Sequence, residues 1–561
     1  MVDARLPGNS ATAAAQAFAG IVLSAQAEAP ILAGQLATAC FLGAAESHSC
    51  LETEAYFPDC RSETETATAL AALFYGNPLV LPAAEPGQPI GPCLMVIFKD
   101  RLYLKKYWLM ENALLAHLRK RSNALPISEQ ADISRRLAVS CLEKPLTILT
   151  GGPGSGKTTA IFGALMLWTA AFHARHGRIP KILLCAPTGK AAARMNESWQ
   201  QQKPGLLQAL AEPLRIALPD SAQTLHRLLA IQPIYRRSRF NPGQPLQADL
   251  MVFDEASMID LPMSLQLFDA LPESCNLLLV GDPEQLPSIE IGSVLKSLIS
   301  LPSGTELRVQ LDLAHIHLQQ NFRQAMSSGL SELRRDIMQA DPDEVVARLN
   351  AGSYADVRFQ QGGRQALSAL LEQSLQHYRT MAALPDAGAA LAMLRQRIIL
   401  SPVRGGPSGS DTLNTRIRNS LLAHAGPHGQ VVMVTENVPA LGLANGDIGI
   451  VWQHPDGLNV HFPLAAGPLS IPLSELPRHD PAFVLTVHKA QGSEFEHVEL
   501  LLPEIDNPLL SRPLFYTAAT RARASLCITG TPAIVSAALK RDIRRMHGMA
   551  ALAGSTQQEI Q

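Results

Sequence analysis

The chain has 561 residues, too many for one hydrophobic core, so three or four domains are expected. Apolar residues make up 47% and charged residues 17%, and the formal net charge of -2 excludes a uniformly basic nucleic-acid coat while leaving room for a local basic groove. No apolar run reaches membrane-span length, and the eight cysteines form no C-x-x-C pair, which fits reduced thiols in a cytoplasmic protein.

Residues 1–120 form the first unit. The alanine-rich stretch 11–29 lacks a basic segment before it, because Asp3 offsets Arg5, so it reads as a first helix and not as a targeting signal. His48, Cys50 and Cys60 lie close together at a spacing that fits no common zinc pattern. Residues 92–98 read as a strand, Lys99-Asp100-Arg101 as a break, and Leu102-Tyr103-Leu104 as the return strand of a hairpin. This hairpin feeds a helix through Trp108 and Leu114.

Residues 121–325 change rhythm. Short apolar strands at 146–149, 182–186, 250–253 and 277–280 alternate with helical stretches, the pattern of a parallel α/β sheet. A basic stretch with flanking aromatics, from Ile234 to Phe240, suggests a short hairpin insertion near 231–248. Its arginines, Arg236, Arg237 and Arg239, face either solvent or a duplex fork. A helix-rich stretch around Asp341-Pro342-Asp343 leads into a second α/β block, 326–545, with strands at 397–400, 498–502 and 526–529. Within it, residues 428–480 read as a small β-barrel insertion. Its runs at 431–434, 449–452 and 458–462 are separated by the Asn445-Gly446 and Pro455-Asp456-Gly457 turns. Residues 546–561 read as a flexible tail.

The chemistry starts at Gly151-Gly152-Pro153-Gly154-Ser155-Gly156-Lys157-Thr158, with Thr159 next to it, directly after a strand and before a helix. Glycines there let backbone N–H groups turn around phosphates. Lys157 brings a point charge to the β/γ-phosphates of ATP, and Thr158 a hydroxyl to Mg²⁺. Two strands later come Asp254, suited to hold the magnesium, and Glu255, suited to orient or deprotonate the attacking water. After the following strand, Gly281-Asp282-Pro283-Glu284-Gln285 puts Gln285 where it can sense the γ-phosphate.

These segments resemble the motifs of superfamily-1 helicases, and they run in family order. Ala186-Pro187-Thr188-Gly189-Lys190-Ala191-Ala192 is similar to motif Ia, and Thr224-Leu225-His226-Arg227-Leu228-Leu229 to the segment after it. Gln319-Gln320-Asn321-Phe322-Arg323 is similar to motif IV, Leu485-Thr486-Val487-His488-Lys489-Ala490-Gln491-Gly492-Ser493-Glu494 to motif V, and Tyr516-Thr517-Ala518-Ala519-Thr520-Arg521-Ala522 to motif VI. The wording resembles the RecD branch, whose members translocate 5′→3′, strongly over residues 120–540. That resemblance implies two tandem RecA-like P-loop NTPase domains, an N-terminal mainly helical domain and an SH3-like β-barrel insertion. It implies arginine fingers at Arg323 and Arg521, a ribose contact at Glu494 beside Gly492, and an adenine reader at Gln130.

Such a motor holds single-stranded DNA by its backbone and by stacking. The resemblance points to Pro187, Thr188, Gly189, Thr224 and His226 in the first lobe, and to Ser401, Arg404, Asn414, Thr486 and His488 in the second. Residues 100–108 are similar to the N-terminal domain by which RecD subunits dock on a RecC subunit, and no helix-hairpin-helix repeats of the stand-alone RecD-like helicases are visible. The expectation is an ATP- and Mg²⁺-dependent 5′→3′ helicase subunit acting on double-stranded DNA ends with RecB-like and RecC-like partners. No acidic nuclease constellation lies outside the ATP site, so nuclease chemistry is expected in another subunit. A stand-alone helicase and a regulatory subunit with a vestigial nucleotide site are the alternatives.

Overall fold

The computed structural model describes residues 8–26, 31–58, 60, 62–81, 90–119, 132–232, 237–288, 290–301, 313–318, 328–464, 467–543 and 545. In the N-terminal unit, β1 (Leu51–Glu52), β2 (Val80–Leu81), β3 (Met95–Phe98) and β4 (Arg101–Leu104) form a sheet in the order β1-β4-β3-β2. The anticipated hairpin is the β3–β4 pair, with Phe98 opposite Arg101. Helices Gly8–Ser24, Ile31–Ala45 and Glu63–Leu73 accompany this sheet, and Val22, Leu36, Leu70 and Phe74 form its core with Met95 and Ile97. The other hairpin face belongs elsewhere: Val96, Phe98, Tyr103 and Trp108 share a core with Phe253 and Phe268. Helix Lys105–Arg119 is thereby tied to the next block, and His117 Nε2 lies 2.7 Å from Asp269 Oδ1.

The first α/β block contains β5 (Leu146–Gly151), β6 (Ile182–Ala186), β7 (Gln223–Thr224), β8 (Leu250–Phe253), β9 (Asn276–Gly281) and β10 (Leu313–Leu318). All neighbours are parallel, in the order β10-β5-β9-β8-β6-β7. Strand β8 is apolar throughout, β5 and β9 are mostly so, and nearly every residue of the three is buried, as expected for a parallel sheet covered on both faces. The order explains the site: β9 lies between β5 and β8, so segments separated by more than a hundred residues end side by side at the carboxyl edge of the sheet. In 231–248, where a short hairpin insertion was anticipated, isolated bridges join Gln232 with Arg237 and Asn241 with Gln244. Residues 233–236, including Arg236, lie outside the described residues.

In the second block, β11 (Val357–Gln361), β12 (Arg397–Ser401), β18 (Val484–Thr486), β19 (Phe495–Leu501) and β20 (Ala522–Gly530) form another parallel sheet, ordered β11-β20-β19-β12-β18. Asp341 caps the helix Pro342–Asn350, so the Asp-Pro-Asp break separates two helices. Between β12 and β18 the chain makes an antiparallel sheet, β16-β15-β14-β13-β17. Its strands are β13 (Val431–Val434), β14 (Ile448–His454), β15 (Gly457–Leu464), β16 (Gly467–Pro472) and β17 (His479–Pro481). It has an apolar core of its own around Val434, Val460 and Phe462.

The two blocks touch through hydrogen bonds. Leu286 N donates to Thr517 Oγ1 at 2.8 Å, and Gln491 Nε2 donates to Leu286 O at 3.1 Å. Arg545, beyond helix Pro532–Lys540, reaches back to the first block, where Nη1 donates to Ser288 Oγ, Glu290 O and Gly292 O. The insertion also reaches the first block: a Cβ on Gly189 would meet Ala444 Cβ at 2.2 Å. No helix among the described residues is long and apolar enough to cross a membrane, and no group of three or more metal-ligating side chains is present there, at His48 and Cys50 or elsewhere.

Candidate active site

The glycine-rich loop begins where β5 ends. A Cβ on Gly151 would lie 2.6 Å from Ser155 Oγ and 3.1 Å from Leu318 O, so only glycine fits between the loop and β10. Gly154 and Gly156 take φ values of 75° and 82°, the left-handed geometry that makes consecutive N–H groups converge. Helix Lys157–His176 starts at once, adding its N-terminal dipole. Lys157 Nζ donates to Gly151 O (2.5 Å) and Gly152 O (2.9 Å), and Ser155 Oγ is buried with no hydrogen-bond partner among the described residues. The loop floors a cavity of about 210 Å³.

The opposite wall carries the carboxylates. Asp254 and Glu255 follow β8 and both line the cavity. Glu255 has φ 54°, a left-handed conformation that costs a non-glycine residue on the order of 1 kcal/mol or more. Its N–H donates to Asp254 Oδ1 at 2.9 Å, which anchors the strained turn. Burial, and then the charge of Glu255, push the Asp254 carboxyl above its ordinary range against the pull of Lys157 and Arg194. Thr158 lines the same cavity, and hydroxyl with carboxylate is an oxygen donor set that suits a hard divalent ion.

Between these walls sits the end of β9. Asp282 is buried, which raises its pKa, and it accepts hydrogen bonds from Glu284 N (3.1 Å), Gln285 Nε2 (3.2 Å) and Tyr516 OH (3.2 Å). Gln285 Oε1 accepts from Arg521 Nη2 at 3.0 Å, so a second-block arginine meets the first-block glutamine inside the cavity wall. Arg521 is only 2% exposed; Thr517 O, Ser493 O and Thr520 Oγ1 hold the rest of its guanidinium, and burial lowers its pKa. Glu494, also on the cavity wall, ion-pairs with Arg194 of the first block and with Arg523 at 2.8 Å. Gly492, with φ 72°, lies against Ala191 of the first block.

The structure thus brings together the loop 151–159, Asp254, Glu255, Gln285, Glu494 and Arg521. Gln130 and Arg323 lie outside the described residues. Tyr516, Asp282 and Arg194 also belong to the site, and sequence reasoning did not single them out. Tyr516 and Asp282 stood inside recognised motifs, while Arg194, two residues beyond motif Ia, carried no signal.

The residues expected on the DNA path divide into two kinds. Thr188 caps helix Gly189–Ala209 by accepting from Ala191 N, Thr224 caps the next short helix by accepting from Arg227 N, and His226 is exposed. Arg404, Asn414 and Thr486 line a cavity of about 170 Å³ beside the insertion. Within it Arg404 pairs with Asp411, and Thr486 Oγ1 accepts from Lys489 N. His488 is partly buried, which lowers its pKa. Two of these residues also bind backbone. Ser401 is fully buried, and its hydroxyl both donates to Val403 O and accepts from Val403 N, which shapes the strand end. Asn414 uses both ends of its amide on the Val484 backbone and therefore acts by fixing β18 beside Thr486.

Residues 135–290 match the model of an AAA domain, and residues 481–529 that of a UvrD-like helicase C-terminal domain. The chain is 34% identical to the RecBCD enzyme subunit RecD of Mycolicibacterium smegmatis over 487 residues, 83% of this chain and 84% of that protein. It is 29% identical to the ATP-dependent RecD2 DNA helicase of Deinococcus radiodurans over 435 residues, 74% of this chain and 51% of that protein. A solved structure of Pif1 helicase from Bacteroides with ADP-AlF3 and ssDNA aligns at 16% identity with a TM-score of 0.41, covering 72% of this chain and 92% of that one. With a cavity closed by two α/β blocks and a RecD relative 34% identical over most of both chains, the chain belongs to the RecD family of superfamily-1 DNA helicases and is a DNA-dependent ATPase.

Proposed function

We propose that the chain is a 5′→3′ DNA translocase acting in the cytoplasm as one subunit of a three-subunit helicase–nuclease that opens double-stranded DNA ends for recombinational break repair. The observation that carries the motor reading is the contact of Arg521 with Gln285, because a site assembled from two lobes lets hydrolysis drive relative motion. Polarity follows from the resemblance of residues 224–229, 254–260, 401–406 and 487–495 to the 5′→3′ branch. The partners are RecB-like and RecC-like subunits, a reading supported by the match to most of the length of a relative named as a RecBCD subunit. Residues 1–120 serve as the docking unit, 121–325 and 326–545 as RecA-like motor domains, and 428–480 as an SH3-like insertion, in keeping with its five-stranded antiparallel sheet.

Within the site, backbone N–H groups of 152–156 cradle the phosphates and Lys157 neutralises the β/γ charge. Bound Mg²⁺ would supply charge neutralisation between those phosphates, held by Thr158 and Asp254. Glu255 orients the attacking water and takes its proton, Gln285 senses the γ-phosphate, and Arg521 (with Arg323) stabilises charge as the phosphoryl group transfers. Gln130 reads the adenine and Glu494 the ribose. Pro187, Thr188, Gly189, Thr224, His226, Arg404, Thr486 and His488 line the strand's path.

Lys157→Gln tests the core of this reading: DNA-stimulated ATP hydrolysis should vanish while the chain still co-purifies with its partners. Hydrolysis at the parent rate in that variant would overturn it. Unwinding of substrates with a single-stranded tail at only one end checks the polarity, and only 5′-tailed substrates should open.

A further inference from the structure

Helix Gly189–Ala209 turns one face to the nucleotide cavity. Ala191, Arg194, Met195 and Ser198 all line it, the i, i+3, i+4, i+7 spacing of a single stripe. The first turn of the same helix follows directly on Pro187, Thr188 and Gly189. Arg194 therefore sits only about 8 Å along the axis from the end of the helix assigned to the DNA path.

The guanidinium of Arg194 crosses the boundary between the blocks to pair with Glu494, whose side chain is 5% exposed. Arg523 holds the same carboxylate from within the second block. These two pairs differ in kind. Glu494 directly precedes β19 and Arg523 lies in the neighbouring β20, so their pair survives any separation of the blocks. The Arg194 pair exists only while the blocks are together. Glu255 and Asp254 also act on Arg194 electrostatically, which puts this cation next to the hydrolytic carboxylates.

We infer that Arg194 is a positioning residue that couples DNA binding to ATP hydrolysis by latching the second block onto a helix whose first turn meets the DNA. The inference rests on reading the cavity as the ATP site and residues 187–189 as part of the DNA path. A strand bound at the helix start fixes the helix, the helix aims Arg194 at Glu494, and the pair holds Arg521 and Gln285 in register over the loop. Arginine suits this role because its fork keeps two directions of hydrogen bonding while remaining charged.

The test uses the full-length chain with Arg194→Gln, Arg194→Lys, Glu494→Gln and the Arg194→Gln/Glu494→Gln double variant. ATP hydrolysis is followed with and without single-stranded DNA, and affinity for a fluorescent ADP analogue is measured by titration. Arg194→Gln should lose about tenfold or more of the DNA-stimulated kcat, with analogue affinity changed by no more than about threefold. The double variant should be no worse than the more affected single, and Arg194→Lys should recover part of the loss. Full DNA stimulation in Arg194→Gln, losses that multiply in the double variant, or an affinity loss matching the kcat loss would each overturn the inference. Lys157→Gln separates the two readings: if that variant still hydrolyses ATP, the assignment of the cavity fails whatever Arg194 does.

Discussion

Replacing Tyr516 with phenylalanine removes one oxygen from the contact between the motor blocks and leaves the ring that packs in the second core. The lost hydroxyl donates to Asp282 Oδ2 at 3.2 Å, and a Cβ on Gly152 would approach it to 3.3 Å, so it stands between the phosphate loop and the β9 turn. A hydrogen bond to a charged acceptor contributes about 1.5–3 kcal/mol, and the length of this one argues for the low end, about 1.5 kcal/mol. Asp282 keeps its bonds from Gln285 and Glu284, so no orphaned carboxylate is created to inflate the effect. Because donor and acceptor lie in different blocks, the loss falls on closure, shifting it about tenfold toward the open form. Steady-state hydrolysis with saturating DNA should show it as a fall of about tenfold in kcat/KM for ATP. Kinetics within twofold of the parent, in a variant with an unchanged circular dichroism spectrum, would refute the reasoning.

Other outcomes follow from the same contacts. Lys190 Nζ is buried near the insertion with no hydrogen-bond partner among the described residues, and burial lowers its pKa to about 8. The folded chain therefore binds fewer protons than the unfolded chain between about pH 8 and 10.5, and Lys190 costs stability at neutral pH that is regained as pH rises through that window. Lys190→Met should raise the unfolding midpoint at pH 7, by up to about 3 kcal/mol in free energy, and the gain should shrink by pH 10 in thermal scans. Gly189→Ala should push the insertion off the first block at a cost of about 1–3 kcal/mol, and Ala444→Gly should restore it; protease susceptibility of the insertion reports both. Gly151→Ala should cripple nucleotide binding more than Gly152→Ala, because only the former meets backbone, at Leu318 O; titration with a fluorescent nucleotide distinguishes them.

Much of the α/β core was legible because buried parallel strands are continuous apolar runs. Strands β6, β8 and β13 run between the very residues expected, and β5 and β9 extend one or two residues further. Strand β10 was missed: Leu313–Leu318 alternates, with His315 and His317 both reaching Thr150 Oγ1, and polar residues hide an edge strand from an apolar count. Strand β18 was missed because three residues carry no period.

Local sequence determined the phosphate loop, since glycine spacing, a lysine and a following helix act within eight residues. It also marked Asp254, Glu255 and Gln285 as polar residues at strand ends, where side chains face a cleft, while Arg521 was marked by the family resemblance. Only the tertiary structure decided who meets whom. The order β5-β9-β8 sets Asp282 beside the loop, and closure of the second block brings Tyr516 and Arg521 onto Asp282 and Gln285, more than two hundred residues away. It also drew Ser401 and Asn414 into backbone hydrogen bonds and gave Arg194 a partner exactly three hundred positions along the chain. Such pairings depend on how two sheets dock, and docking is fixed by packing between surfaces that no short stretch of sequence contains.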